Sequence, residues 1–252
     1  MIKVILNGCS GRMGKIIAEV AKAGETIEIA AGVDKFIPET GTSFPVFDDI
    51  SKCSVEADVV LDFSSPKSLP QLAEFCRCRK MPLVLCTTGY NTEEAEFIKK
   101  LGSEIAVFRS GNMSVGINLI SSILRKISPI LFDGYDIEII EKHHNQKIDA
   151  PSGTALMLAD SIKSSLEDEV SYVHGREGLR KREKSEIGIH AVRGGSIVGE
   201  HEIIFAGRGE IIELKHTALS REVFAVGALK ACEFIASKTS GLFNMDDVLN
   251  LD

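Results

Sequence analysis

The chain opens with MIKVILNGCSGRMGKIIAEVAKAG, residues 1–24, and its architecture can be predicted from there. Ile2 to Leu6 form a short apolar run that is typical of a buried β-strand. Three glycines at intervals of three residues, Gly8, Gly11 and Gly14, then lead into an amphipathic helical pattern. A strand, a glycine-rich turn and a helix in this order predict the first unit of a parallel α/β sheet.

The same turn predicts a dinucleotide site, because glycines let the backbone approach a pyrophosphate and a helix N-terminus favours anions. A second strand, Thr26 to Val33, ends at Asp34, 20 residues after Gly14, where an acid would hold the adenosine ribose. The spacing is Gly-x-x-Gly-x-x-Gly rather than the commoner Gly-x-Gly-x-x-Gly, and the alternative is a tight turn without a nucleotide. Asp34 favours NADH, whereas Lys35 and Arg12 favour the 2′-phosphate of NADPH, so both cofactors stay open.

Three further apolar runs alternate with helical patterns, at residues 58–63, 82–86 and 104–108. Near-continuous apolar strands between helices predict a Rossmann-like, doubly wound parallel sheet that is buried on both faces. Ligands of such sheets bind at the edge where the strands end. The small polar residues predicted there are Ser64, Thr87, Thr88 and Gly89, with ordinary loop residues as the alternative.

The pattern changes after SGNMS, residues 110–114, where a long apolar helix from Val115 to Leu131 begins. Four later strands are predicted, at residues 135–140, 187–192, 197–205 and 211–216, with glycine turns at 194–195 and 207–209 that suggest hairpins. They predict a second, α+β domain with a mixed, roughly four-stranded sheet. The charged segment 174–186 is interpreted as a solvated loop, or as a lid. A final helix, Arg221 to Ser237, returns to the first domain.

The expected division is therefore a dinucleotide-binding domain of residues 1–113 and 220–252, and a substrate-binding and oligomerisation domain of residues 114–219. With a net charge of −7, general binding to nucleic acid or anionic membranes is not expected. No apolar run reaches the roughly 18 residues that span a bilayer, and the N-terminus has no signal-peptide pattern. Six scattered cysteines without a Cys-x-x-Cys pair favour a reduced, cytoplasmic protein.

The stretch EKHHNQKIDAPSGTAL, residues 141–156, is the predicted centre of the chemistry. His143 and His144 exchange protons near neutral pH, and Lys147 adds a positive charge. Ser152 or Thr154 is a natural N-cap for the helix that follows, whose first N–H groups favour a carboxylate or phosphate. The stretch thus predicts two anion-binding groups and a general acid.

Other interpretations of this stretch stay open. The histidine pair could be one core and one surface side chain. A zinc site lacks cysteine or carboxylate ligands at a suitable spacing, so no metal is expected. Ser152 as a nucleophile lacks the Gly-x-Ser-x-Gly elbow.

Several stretches together resemble the dihydrodipicolinate reductase family along the whole chain. GCSGRMG is similar to the family's GxxGRMG loop, and DFSSP and CTTGY to its DFT-x-P and GTTG segments. SGNMSVGINL resembles APNFSVGVNL, and VRGGSIVGEH and HTALSR also fit. The most specific match is EKHHNQKIDAPSGTAL, which resembles E-x-HH-x-x-K-x-DAPSGTA.

The resemblance implies an NAD(P)H-dependent reductase of 4-hydroxy-tetrahydrodipicolinate, a cyclic dicarboxylate of lysine and diaminopimelate biosynthesis, with hydride transfer to ring carbon 4. It implies His143 as the acid, Lys147 as its catalytic partner, and a homotetramer assembled through the sheets of the second domain. The substrate-binding candidates are His144, Ser152, Gly153 and Thr154. The cofactor-binding candidates are Gly8, Gly11, Arg12, Met13, Gly14, Asp34, Lys35, Ser64, Thr87, Thr88, Gly89, Asn112 and Met113.

Three departures from the family pattern stand out: Met113 replaces an aromatic residue, Ser64 and Ser65 stand where threonine and another residue are common, and Cys86 replaces a glycine. Two other functions remain open. A different two-domain NAD(P)-dependent amino-acid dehydrogenase would share the architecture but not the DAPSGT segment. A non-catalytic nucleotide-sensing module would have no use for the His-His-x-x-Lys cluster.

Overall fold

The computed structural model describes residues 1–37 and 41–250 and contains two compact units. The first comprises Met1–Val115 and Arg221–Asn250, and the second comprises Gly116–Ser220. The chain therefore leaves the first unit once and returns to it near its end. None of the helices in the described ranges is long and apolar enough to cross a membrane.

The first unit is built on a seven-stranded sheet whose pairs are all parallel. Numbered along the chain, its strands are β1 (Ile2–Asn7), β2 (Ile27–Val33), β3 (Val46–Phe47), β4 (Val59–Asp62), β5 (Leu83–Leu85), β6 (Ala106–Arg109) and β12 (Gly241–Phe243). Its helices are α1 (Arg12–Ala23), α2 (Leu69–Arg79), α3 (Thr92–Leu101), α6 (Glu222–Ile235) and α7 (Met245–Leu249). The order β12-β6-β5-β4-β1-β2-β3 confirms the predicted doubly wound sheet. The short strands β3 and β12 were not predicted.

Both faces of this sheet are buried because successive side chains of a strand point to opposite faces. In β1, Val4 and Leu6 pack with residues of α1 and α6, whereas Ile5 packs with residues of α2 and α3. The four-residue β4 is buried throughout. This explains why the strands are apolar without alternation, as in parallel sheets generally.

The second unit contains a mixed five-stranded sheet in the order β11-β10-β7-β9-β8. Its strands are β7 (Asp136–His143), β8 (Ser171–His174), β9 (Glu186–Arg193), β10 (Gly199–Ala206) and β11 (Ile211–Ala218), and its helices are α4 (Val115–Leu131) and α5 (Gly153–Lys163). Strand β7 pairs antiparallel with β10 and parallel with β9. One face of the sheet packs on α4 and α5, through side chains such as Ile139, Ile203 and Leu158.

The predicted mixed sheet of the second unit is confirmed, with one strand more than the four that were predicted: β8 is a four-residue edge strand that pairs with β9. One prediction for this unit needs correction. The glycines at 194–195 do not form a hairpin, because β7 lies between β9 and β10 in the sheet. The hairpin at 207–209 is confirmed, since it joins the antiparallel pair β10 and β11.

Arginines of the charged segment between β8 and β9 form ion pairs with acidic residues of the five-stranded sheet. Arg176 donates to Glu138 at 2.6 Å and to Glu186 at 2.8 Å. Arg182 donates to Glu138 at 3.1 Å and to Asp136 at 2.8 Å. These ion pairs favour the loop interpretation of this segment over the lid.

Candidate active site

The glycine turn of the first unit brings backbone segments closer together than side chains would allow. Gly8 has a φ of +84°, and a Cβ there would lie 2.6 Å from the carbonyl oxygen of Phe63. A Cβ at Gly14 would lie 2.3 Å from the carbonyl oxygen of Gly8. Gly11 is the N-cap of α1 and supplies no side-chain cap, so the N-terminus of α1 presents backbone N–H groups. These features fit a site that binds a pyrophosphate.

Asp34 lies at the end of β2, beside this turn. Its carboxylate accepts hydrogen bonds from the backbone N–H groups of Ser10 at 3.0 Å and Phe36 at 3.1 Å. A cavity of about 360 Å³ adjoins it, and its lining includes Gly8, Gly11, Asp34, Lys35, Phe63 and Ser64. Arg12 and Lys35 are both solvent-exposed. The structure thus brings the predicted ribose acid to the glycine turn.

A buried carboxylate that was not predicted, Asp62, organises the polar edge of the sheet. Ser64 Oγ donates to one of its oxygens at 2.5 Å and Thr87 Oγ1 to the other at 2.7 Å. Asn7 Nδ2 donates to Asp62 at 2.7 Å and to Ser64 Oγ at 2.9 Å. Burial raises the pKa of Asp62. Two predicted cofactor contacts, Ser64 and Thr87, are therefore held by a common carboxylate, whereas Thr88 is exposed.

The remaining cofactor candidates differ in exposure. Gly89 is exposed and has a φ of +86°. Met13 is half-buried against the core, and Met113 is only 4% exposed within it. Asn112 uses its side-chain oxygen to accept from the N–H of Ser114 at 2.8 Å. Met113 therefore offers a cofactor little exposed surface.

In the second unit, His143 at the end of β7 is paired with a carboxylate on the same face of the strand. Its Nδ1 lies 2.7 Å from Oε2 of Glu141, which is fully buried. Arg193 of β9 donates two hydrogen bonds of 2.7 Å to the Glu141 carboxylate, and the N–H of Ser152 donates a third of 2.9 Å. Glu141 belongs to the predicted stretch 141–156, and the sequence indicates it as a group that would favour the charged form of His143 if its side chain lies near. Arg193 was not predicted, because its role depends on pairing between strands.

These contacts set the protonation of the pair. Burial alone would raise the pKa of Glu141, but hydrogen bonds from Arg193 and His143 outweigh it and lower the pKa below its ordinary value. Burial lowers the pKa of His143, although the hydrogen bond and charge of Glu141 act in the opposite direction. Glu141 is therefore ionised at neutral pH, and His143 carries less charge than an exposed histidine.

Helix α5 begins beside this pair. Ser152 is its N-cap and accepts a hydrogen bond from the N–H of Ala155 at 3.1 Å. Ser152 Oγ also lies 3.0 Å from Nε2 of His201, whose ring is edge-on to that of His143 with centroids 5.2 Å apart. Burial lowers the pKa of His201 to about 4, so this histidine is neutral at physiological pH. His201 was not predicted from the sequence.

The loop between β7 and α5 carries the predicted cation. Lys147 Nζ lies 2.8 Å from Oδ1 of Asp149, and its backbone N–H donates to the carbonyl of His144. Arg193 donates to the carbonyl of Asp149 at 2.7 Å, which ties this loop to the Glu141 carboxylate. His144 is half-buried and Gly153 is exposed. The structure thus connects Ser152 with His143 through Glu141, and places Lys147 near enough for its charge to act on His143. Within the described residues, no group of three histidine, cysteine or acidic side chains is placed to hold a metal.

Comparison with known proteins identifies the family. Residues 2–113 match the model described as dihydrodipicolinate reductase, N-terminus, and residues 116–249 match the one described as its C-terminus. The chain belongs to the dihydrodipicolinate reductase family. The 4-hydroxy-tetrahydrodipicolinate reductase of Clostridium novyi is 59% identical over 249 residues, covering 99% of this chain and 98% of the relative. That of Clostridium tetani is 57% identical, with the same coverage.

A solved structure supports the fold of this family member. The dipicolinate-bound dihydrodipicolinate reductase from Paenisporosarcina sp. TG-14 matches with a TM-score of 0.82 and 24% identity, covering 98% of each chain. The chain is accordingly a nicotinamide-dependent oxidoreductase by family.

Proposed function

We propose that this chain catalyses the NAD(P)H-dependent reduction of 4-hydroxy-tetrahydrodipicolinate to tetrahydrodipicolinate in lysine and diaminopimelate biosynthesis. The observation that carries the proposal is the buried His143–Glu141 pair beside the N-terminus of α5 and Lys147. A small dicarboxylate needs both cationic and N–H partners, and a reduced ring needs a proton. The stretch 141–156 supplies the cation in Lys147, the N–H groups at the start of α5 and the proton donor in His143.

In this proposal His143 is the general acid and Lys147 its partner near the substrate. His144 contacts the substrate. Ser152, Gly153 and Thr154 would hold a substrate carboxylate, which then competes with Glu141 for the N–H of Ser152 and with Asp149 for that of Gly153. Because Lys147 is bonded to Asp149, a substrate carboxylate has to compete with Asp149 for this cation. Substrate binding would then place two negative charges near His143 and raise its pKa toward neutrality.

The residues of the first unit fit a nicotinamide dinucleotide. Gly8, Gly11 and Gly14 leave room for a pyrophosphate at the start of α1, with Arg12 in the first turn. Asp34 would accept from ribose hydroxyls, and Lys35 and Arg12 would offset a 2′-phosphate. When bound, the cofactor supplies the hydride. We therefore propose that the enzyme uses both NADH and NADPH.

The larger assembly is proposed on the same basis. The protein would be a cytoplasmic homotetramer joined through those faces of its five-stranded sheets that do not pack on helices. Besides the cofactor, its binding partner would be the small dicarboxylate substrate, and neither nucleic acid nor a membrane. All six cysteines are free thiols, which fits a reducing compartment.

Steady-state kinetics test the proposal directly. The oxidation of NADH and of NADPH should be measured with enzymatically generated substrate. Each cofactor should be consumed only when the dicarboxylate is present. An amino-acid dehydrogenase would instead need ammonia or an amino acid, and a sensing module would bind the nucleotide without turnover. The absence of tryptophan lets cofactor fluorescence be followed with little protein background.

A further inference from the structure

We infer that Glu141 is the positioning residue of the proton-transfer step: it fixes the tautomer and the ring orientation of His143, and Arg193 holds its carboxylate in place. This inference rests on the proposed function, because it gives His143 the proton. It adds two residues, on two strands, that act through His143 rather than on the substrate.

The hydrogen bonds leave one arrangement for the His143 ring. An ionised carboxylate only accepts hydrogen bonds, and it has about four lone-pair positions. Three N–H donors already point at Glu141, two from Arg193 and one from Ser152. The fourth contact, at 2.7 Å, is His143 Nδ1, which must therefore donate. The neutral imidazole then carries its proton on Nδ1, and Nε2 becomes the atom that exchanges a proton with the substrate.

Arg193 is what keeps the carboxylate ionised while it is buried. A buried carboxylate whose hydrogen-bond donors are all neutral has a raised pKa, as Asp62 of the first unit does beside Asn7, Ser64 and Thr87. The two parallel bonds from the Arg193 guanidinium have the geometry that stabilises a carboxylate most strongly. The same guanidinium reaches the carbonyl of Asp149, so it also positions the loop that carries Lys147.

The other groups around His143 are consistent with this role. Lys147 on the loop and Arg193 on β9 are positive, and both lower its pKa; Glu141 on its own strand raises it. His201 on β10 is neutral and does not compete for Glu141. At the other end of the ring, a Cβ at Gly199 would lie 3.1 Å from Nε2. Glycine at 199 therefore leaves room beside the reacting atom.

A double-mutant cycle separates positioning from a merely structural role. In the wild-type background, Glu141→Gln should lower kcat/KM at pH 7 about 10- to 10²-fold, a part of the 10²–10⁴-fold that a general acid contributes. In the His143→Gln background the same change should cost less than about 3-fold, because the residue through which it acts is gone. An equal loss in both backgrounds would overturn the inference.

The chain offers a matched control on the same strand. Glu138 also contacts a histidine, His190, at 2.7 Å and two arginines, but it lies on the opposite face of β7. Glu138→Gln should leave the pH profile of kcat/KM unchanged. Because loss of a buried charge can prevent folding, Glu141→Asp and Arg193→Lys serve as second variants. Both keep the charges, and both should show the same coupling to His143 with smaller losses.

A spectroscopic measurement makes the inference independent of turnover. In the ¹⁵N-histidine-labelled full-length protein, the His143 signals, assigned by their loss in His143→Gln, should show the Nδ1-protonated tautomer above pH 7. Glu141→Gln should shift them toward the Nε2-protonated form, and Glu138→Gln should not. An unchanged tautomer in Glu141→Gln contradicts the inference even in an active enzyme. Absence of turnover in the wild type, by contrast, would count against the proposed function and leave the tautomer test intact.

Discussion

At the scale of single residues, the proposed role of His143 as the general acid makes its protonation state decisive for the reaction rate. Burial outweighs Glu141 and lowers the pKa of this histidine, so the free enzyme holds it mainly neutral at pH 7. An acid must be protonated before it acts, so kcat/KM should rise as the pH falls toward that pKa, which lies below 6.5. His143→Gln should lower kcat about 10²–10⁴-fold and lose this limb of the pH profile. Persistence of the limb would assign the proton to His144 or Lys147 instead.

Lys147 gives a second prediction at this scale. Lys147→Ala should lower kcat/KM by about 10²-fold or more, because the substrate loses a charged partner in a partly buried position. The Kd of NADPH, measured by fluorescence titration, should stay within about 2-fold, since the cofactor candidates lie in the first unit. Lys142→Ala is a suitable control, because Lys142 is paired with Glu200 instead. A variant that keeps turnover and loses nucleotide affinity would show that Lys147 is misassigned.

The buried His201, which lies beside His143, makes the stability of the protein depend on pH. Its pKa is about 4 in the folded protein and 6.5 when unperturbed, so the unfolded chain binds the extra proton between these values. Stability is therefore full above pH 6.5 and falls as the pH decreases, by about 2 kcal/mol from this residue between pH 7 and pH 5. His201→Asn should remove that share from urea-unfolding measurements at the two pH values. The exposed His174→Asn should not, and an unaltered pH dependence in His201→Asn would contradict the prediction.

At the scale of elements, the glycine turn between β1 and α1 is the most constrained. A Cβ at Gly14 would lie 2.3 Å from a backbone oxygen and 2.6 Å from Cα of Cys9, so α1 has to move away from the turn. Gly14→Ala should cost about 1–3 kcal/mol of stability and weaken NADPH binding at least about 10-fold. Gly134→Ala, where a Cβ meets nothing within 4 Å, is the control. Normal nucleotide binding by Gly14→Ala would remove this turn from the cofactor site.

The elements also show which features a sequence reveals. Five strands of the parallel sheet, β1, β2, β4, β5 and β6, were predictable because each is an apolar run next to a helical pattern, and β1 is buried from Val4 onward. Strand β8 was not, because Ser171–His174 is short and adjoins a charged segment. The chain crosses from β9 to β10 over β7, and a glycine pair does not distinguish this crossing from a hairpin.

The residues of the candidate site likewise fall into those that a local pattern predicts and those whose role depends on partners far away in the sequence. His143, Lys147 and Ser152 follow one another in the sequence, so their local pattern was sufficient to predict them together. Glu141 stands two residues before His143, so the sequence indicated it as a possible neighbour of this histidine, but its bond with Arg193, 52 residues further along, could not be predicted. The role of Asp62 likewise depends on Asn7 of the neighbouring strand β1 and on Thr87, just beyond the end of β5. A single sequence contains no local signal for such pairings.

At the scale of the whole molecule, the five-stranded sheet has one face packed on helices and another that carries Ile140, Val192 and Ile204 among charged residues. Ile204 faces Glu138 and Glu213 on the adjacent strands. If this face joins subunits, Ile204→Lys should reduce the assembly from a tetramer to a smaller species, since a lysine is costly to bury between subunits. Within one subunit, the neighbouring carboxylates should tolerate the new cation.

Light scattering coupled to gel filtration measures this outcome. The wild type should show the mass of four chains, and Ile204→Lys should show a smaller mass with the same far-ultraviolet circular dichroism. Ile130→Lys is the control, because Ile130 is 78% exposed on α4 rather than on the sheet. It should keep the wild-type mass, since that residue already faces water in the subunit. A tetrameric Ile204→Lys protein would place the subunit contact elsewhere, and a monomeric wild type would remove the proposed assembly altogether.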